Sequence, residues 1–154
     1  MKLCRTKIIF PSGDFTVVDI DASQKLVTHF TIDELANWSN NDEVKFIISA
    51  ESIQFMQRIE EFRRWYGKPI IVNSNYRSKS FNSTLDAAIQ NSEHIKACAL
   101  DWAIKGHTNA WRNKVKEQIF KQARKYGCGC HVIYYTWGYH IDFAGTNQIV
   151  LDYR

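Results

Sequence analysis

Apolar residues recur along this chain with two different periods. Phe55, Ile59, Phe62 and Tyr66 follow one another at three- and four-residue spacing, the repeat of a helix with one buried face, so the pattern predicts a helix over about 51–66. Gly67-Lys68-Pro69 ends it, because glycine accepts the left-handed turn that closes a helix and proline cannot continue one. Trp111, Val115, Ile119, Ala123 and Tyr126 repeat the pattern and predict a second long helix over about 109–126, closed by Gly127. Its Lys114, Lys116, Lys121, Arg124 and Lys125 fall off the apolar stripe and read as a solvated face. A short helix is expected from Thr31-Ile32-Asp33-Glu34, a capping box in which threonine and glutamate satisfy each other's backbone donors; it runs through Leu35 and Trp38.

Elsewhere the period is two. Residues 1–25 read as short strands and turns, with a turn at Pro11-Ser12-Gly13-Asp14, and Ile70-Ile71-Val72 as a short apolar strand. In 99–104, Leu100, Trp102 and Ile104 alternate with Ala99, Asp101 and Ala103, so one face is apolar and the other carries a carboxylate between two alanines. The end of the chain is strand-rich: 131–135, 139–143 and 149–153, with a turn expected at Ala144-Gly145-Thr146-Asn147. Helices followed by a terminal run of strands predict an α+β fold, a single domain over 1–154 with an antiparallel β-sheet and helices packed on one side.

Composition narrows the classes. At 154 residues, 45% hydrophobic and 23% charged, the chain suits one globular domain and excludes a disordered protein. No run approaches the roughly 20 apolar residues of a membrane span. The apolar run Ile8-Ile9-Phe10 stops at Pro11, too short for a signal peptide, so synthesis in a cytoplasm without a leader is expected. The net charge of +4 favours anionic partners or simple solubility. Lysines and arginines are scattered rather than gathered with aromatics, which argues against nucleic acid. Cys4, Cys98, Cys128 and Cys130 make no disulfide framework, and Cys128-Gly129-Cys130-His131 lacks the spacing and second ligand pair of a zinc knuckle.

The candidate chemistry lies in three stretches: 71–78, 91–101 and 137–142. A zinc hydrolase needs three protein ligands and one open position. His94, Asp101 and His140 would form such a set, imidazole nitrogen and carboxylate oxygen both suiting zinc; the alternative, from the residues alone, is hydrogen-bonded structural residues in strands. Their zinc site would lie on the sheet. His94 is seven residues before Asp101, so on one unbroken strand the two would point to opposite sides. His94 therefore belongs on a loop leading into the strand. His140 and Asp142 share the opposite face from Ile141 and Phe143.

Ser92-Glu93-His94 with Asp101 seven residues on, Asn75-Tyr76-Arg77-Ser78 upstream and Trp137-Gly138-Tyr139-His140 downstream resemble the motifs of the zinc D-alanyl-D-alanine carboxypeptidase family. This family of peptidoglycan metallopeptidases includes phage endolysin-type L-Ala-D-Glu peptidases and shares a Hedgehog-like zinc fold. The resemblance covers about residues 30–143. It implies zinc on His94, Asp101 and His140. It implies Arg77 as a catalytic residue at the polarised carbonyl or as the binder of a substrate carboxylate, and Ser92 as a substrate contact. The implied partner is a bacterial peptidoglycan peptide, met at the cell wall after phage-type delivery. A monomer is expected.

One departure stands out. The family carries Glu or Asp a few residues before the last His, as general base; positions 134–139 here are Tyr, Tyr, Thr, Trp, Gly and Tyr. Three readings follow. Asp142 acts as the base or instead orients His140; His131 serves as the base; or the chain is a catalytically silent, zinc-containing wall-binding or phage structural module.

Overall fold

A computed structural model of the chain describes residues 1–85, 91–104, 106–145 and 147–154. Two β-strands, β1 (Leu3–Ile9) and β2 (Phe15–Asp21), form an antiparallel hairpin, and β5 (Phe46–Ile48) joins β1 in parallel to make a three-stranded sheet. Between them, β3 (Lys25–Val27) and β4 (Phe30–Thr31) pair as a small ribbon leading into α1 (Ile32–Leu35). The expected capping box is present: the Thr31 side chain accepts from Glu34 N, and the Glu34 side chain accepts from Thr31 N. The helix stops at Leu35, however, and Trp38 lies beyond it, its indole donating to Asp33 O.

The long helices are α2 (Ala50–Tyr66) and α4 (Asn109–Lys125). Ser49 and Thr108 cap them, each accepting from a backbone amide three residues on, worth about 1 kcal/mol apiece. Gly67 ends α2 in the left-handed conformation. Phe55, Met56, Ile59 and Phe62 of α2 and Val115, Ile119 and Ala123 of α4 are buried, whereas Lys114, Lys121, Arg124 and Lys125 are exposed.

Both long helices belong to one core with the main sheet, whose strand order is β10-β8-β9-β7-β6. Its members are β6 (Ile71–Ser74), β7 (Ala99–Ala103), β8 (Cys130–Tyr134), β9 (Tyr139–Asp142) and β10 (Gln148–Asp152). The alternation read in 99–104 holds: Leu100 and Trp102 are fully buried in the core, with Tyr139 and Ile141 opposite them on β9. The architecture is thus the expected α+β type.

One pairing differs from expectation. The last two strands do not form a hairpin; β10 passes β9 and pairs with β8 in parallel, Ile149 opposite His131 and Leu151 opposite Ile133. The crossing segment lies against the start of β8, where Gly129 N donates to Gly145 O and Cys130 N to Asn147 O. A Cβ at Gly129 would sit 2.6 Å from Asn147 O, so the crossing needs glycine there. Of the expected turn at 144–147, Thr146 lies outside the described residues.

Candidate metal centre

Three local devices bring the ligands together. Asp101 and His140 are direct cross-strand partners on antiparallel β7 and β9, so their side chains share the face opposite the helices. His94 comes from a 3₁₀ turn over Glu93–Lys96 ahead of β7, as its separation from Asp101 requires. The Ser92 hydroxyl caps that turn by accepting from His94 N, and Ala97 leaves it with φ of 56°. Asn75, just past β6, donates its amide to Ala97 O and Ala99 O at 3.2 and 2.8 Å, tying the turn to the strand.

The outer nitrogen of each imidazole is engaged. His94 Nδ1 lies 2.7 Å from the Asn75 carbonyl oxygen, a pure acceptor, so Nδ1 carries a proton and Nε2 is the nitrogen turned toward Asp101. That Nε2 is buried and has no hydrogen-bond partner. His140 Nε2 lies 2.7 Å from Asp142 Oδ2, which leaves Nδ1 directed at Asp101 Oδ1, 2.8 Å away. Asp101 Oδ1 is also 3.3 Å from His94 Nε2. The three donor atoms lie within 4.8 Å of one another. Two imidazole nitrogens and a carboxylate oxygen, each oriented from behind by a hydrogen bond, fit a zinc ion. Among the described residues they form the one such group of three; Cys128 and Cys130 form none, and burial pushes the Cys130 thiol up.

The charges agree with this reading. Burial, the largest influence on Asp101, opposes its ionisation, yet the imidazoles of His140 and His94 beside it outweigh burial and hold the carboxyl well below its usual range. Burial also opposes a charge on His140, but Asp101 and Asp142 together raise its pKa to about 9 in the metal-free protein.

Arg77 reaches the same carboxylate from the other side, its Nη2 donating to Asp101 Oδ2 at 2.7 Å and its Nε to Ser74 Oγ at 3.2 Å. Asp142 Oδ1 accepts from Ala144 N and lies 3.6 Å from His131 Nδ1. Arg77, His94, Asp101, His131, His140 and Asp142 line one open cleft of about 360 Å³, together with Ser92, Ile133, Tyr135 and Trp137. Every candidate drawn from the sequence is therefore gathered here. Asn75, Tyr135 and Trp137 were not singled out beforehand as members of the site. The first acts mainly through a backbone carbonyl, which no residue pattern advertises; the register of β8 would have put Tyr135 on the face of His131.

An α+β domain with a His–Asp–His set on the open face of its sheet has a group that could hold one metal ion. The chain belongs to the Peptidase M15 family, whose model matches residues 28–142. Members of that family are zinc-dependent metallopeptidases that act on peptidoglycan. No curated protein matches this chain.

Proposed function

We propose that this chain hydrolyses a stem-peptide bond of bacterial peptidoglycan, either D-Ala-D-Ala or L-Ala-D-Glu, using zinc held by His94, Asp101 and His140. The observation that carries the reading is the convergence of two imidazole nitrogens, His94 Nε2 and His140 Nδ1, on Asp101 Oδ1, each ring held from behind by Asn75 O or Asp142 Oδ2. A zinc ion bound there supplies Lewis acidity, activating a water and polarising the scissile carbonyl.

The chain's own residues divide the remaining work. Arg77 holds Asp101 through Nη2 and lines the cleft with a permanent positive charge suited to a substrate carboxylate or a developing oxyanion. Ser92 lines the same cleft beside the peptide. Two groups compete for proton transfer. Asp142 has Oδ2 on His140 Nε2 and Oδ1 on Ala144 N, which favours a positioning role. His131 lines the cleft with Nδ1 3.6 Å from Asp142 Oδ1, so we assign it the proton, taken from the attacking water at Nε2 and returned to the leaving amine. This answers the absence of a carboxylate at 134–139. The +4 charge suits the acidic wall that a phage-type lysin meets.

The test is mass spectrometry of purified peptidoglycan incubated with the zinc-loaded protein, against a chelator-treated control. Loss of one D-alanine or release of free stem peptides, abolished by the chelator, is expected. No change with zinc bound would overturn the peptidase and leave the silent wall-binding module, the reading favoured by the missing carboxylate. In an active enzyme, His131→Asn removes most of kcat while zinc content stays constant; an unaltered kcat would return the role to Asp142.

A further inference from the structure

The open face carries a second feature that the hydrolysis does not use. Tyr135 and Trp137 line the cleft, their rings stacked at 4.9 Å between centroids and 7° between planes. Tyr153 continues the stack on Tyr135, at 5.9 Å and 16°. Trp137 and Tyr153 are 52% and 61% exposed, so the stack is not core. Ile149 and Leu151, opposite His131 and Ile133 in the sheet register and also exposed, extend an apolar strip along β10 from the rings.

The rings are held from behind. Tyr135 N donates to Gly138 O at 2.7 Å, closing the turn between β8 and β9. A Cβ on Gly138 would lie 2.3 Å from Trp102 O, so glycine alone lets this turn press against β7 and keep Trp137 at the mouth of the cleft. Tyr153 N donates to Tyr134 O at 2.8 Å, fixing the third ring. Tyr135 is covered on both sides by its neighbours, so the aromatic surface offered to solvent beside the reaction site is that of the two end rings, Trp137 and Tyr153.

We infer that the Trp137–Tyr135–Tyr153 stack is a saccharide subsite, holding an N-acetylhexosamine ring of the glycan while the stem peptide attached to it runs toward His94, Asp101 and His140. The apolar C–H face of a pyranose matches a flat ring in shape and, with its slightly positive hydrogens, in charge. A phosphate-bearing chain fits poorly: Arg77 is the one permanent cation among the described residues lining the cleft, and Asp101 already pairs it. The inference rests on the peptidoglycan reading of the metal site and deepens it. Sugar and metal ligands share one cleft, so the amide that reaches the metal lies near the sugar end of the stem. That favours L-Ala-D-Glu over the terminal D-Ala-D-Ala bond.

The experiment is an NMR titration of the zinc-loaded protein with the tetrasaccharide of β-1,4-linked N-acetylglucosamine, following the Trp137 indole N–H. A saturable shift is expected, weakened about tenfold or more in Trp137→Ala and in Tyr153→Ala, the loss of one stacking contact. Both variants should keep their zinc and unfolding temperature. No saturable shift, or binding in both variants as tight as in the parent protein, would overturn the inference. A second measurement separates it from the peptidase reading by comparing kcat/KM for a sugar-bearing muropeptide and for the same peptide freed of sugar. The sugar-bearing form should be preferred by about tenfold, the preference collapsing in Trp137→Ala. If neither is cut yet the tetrasaccharide binds at Trp137, the peptidase fails and the subsite stands. If both are cut equally and no sugar binds, the subsite fails and the peptidase stands.

Discussion

Strands β7 and β9 each carry two populations of side chains. Leu100, Trp102, Tyr139 and Ile141 are fully buried on the helix side, stacked and apolar; Asp101, His140 and Asp142 alternate with them on the open side, every one a titratable group. The same eight-residue stretch of ladder thus supports a packed core and a charged centre less than a strand's thickness apart. The buried face supplies rigidity, so that the open face can hold three donor atoms within 4.8 Å before any ion arrives. The price is that two carboxylates and two histidines crowd together without the cation that suits them. In the metal-free protein they resolve this by sharing protons, Asp101 staying ionised and His140 charging readily.

The two faces should fail differently when broken. Trp102→Ala, on the buried face, is expected to cost roughly 3–5 kcal/mol of folding stability. Denaturant unfolding measures this, and the surviving folded fraction should still bind zinc, since Trp102 touches no ligand atom. Asp142→Asn, on the open face, should lower the denaturant midpoint of the zinc-free protein far less than Trp102→Ala does but weaken zinc about 10–100-fold, the usual effect of removing the partner that orients a ligating histidine. A competition titration with a chromophoric chelator reads that change. An unaltered affinity would mean that His140 is oriented by packing alone.

The gentlest perturbation is pH. His140 has a folded-state pKa of about 9 against an ordinary 6.5, so its charge stabilises the zinc-free fold fully below about 6.5, and that contribution fades as pH rises through 9. Asp101 is depressed from its ordinary 3.8, so its contribution is present above that value and is lost on acidification below it. The zinc-free protein should therefore be most stable between about pH 4 and 6.5. Zinc must displace the His140 proton, so its affinity should fall about tenfold for each pH unit below 9, a slope that calorimetry in buffers of different ionisation heat can read. A pH-independent affinity would show that His140 is not a ligand.

Much of this organisation was legible in the sequence because it is local. Capping residues and helical spacing located α2 and α4 to within a residue or two, and the alternation around Asp101 assigned its face. The seven-residue step from His94 to Asp101 placed the histidine off the strand, where the 3₁₀ turn holds it. What escaped is non-local. Nothing in 148–152 announces a parallel partner, since register is decided by what the strand meets in space, and the crossing depends on the bare backbone at Gly129. The carbonyl of Asn75 behind His94 and the clasp of Arg77 on Asp101 needed the fold to become visible. The stack of Tyr135, Trp137 and Tyr153 joins rings from two separate stretches, the β8–β9 turn and the residue after β10, and composition counted them without bringing them together.

The central claim is that His94, Asp101 and His140 hold one zinc ion. Its most direct test is the metal content of the purified chain by elemental mass spectrometry, alongside His94→Ala and His140→Ala with circular dichroism as the check on folding. The account predicts about one zinc per chain in the parent protein and under about a tenth of that in each folded variant. A parent chain that takes up no zinc on reconstitution, or folded variants that retain it in full, would contradict it.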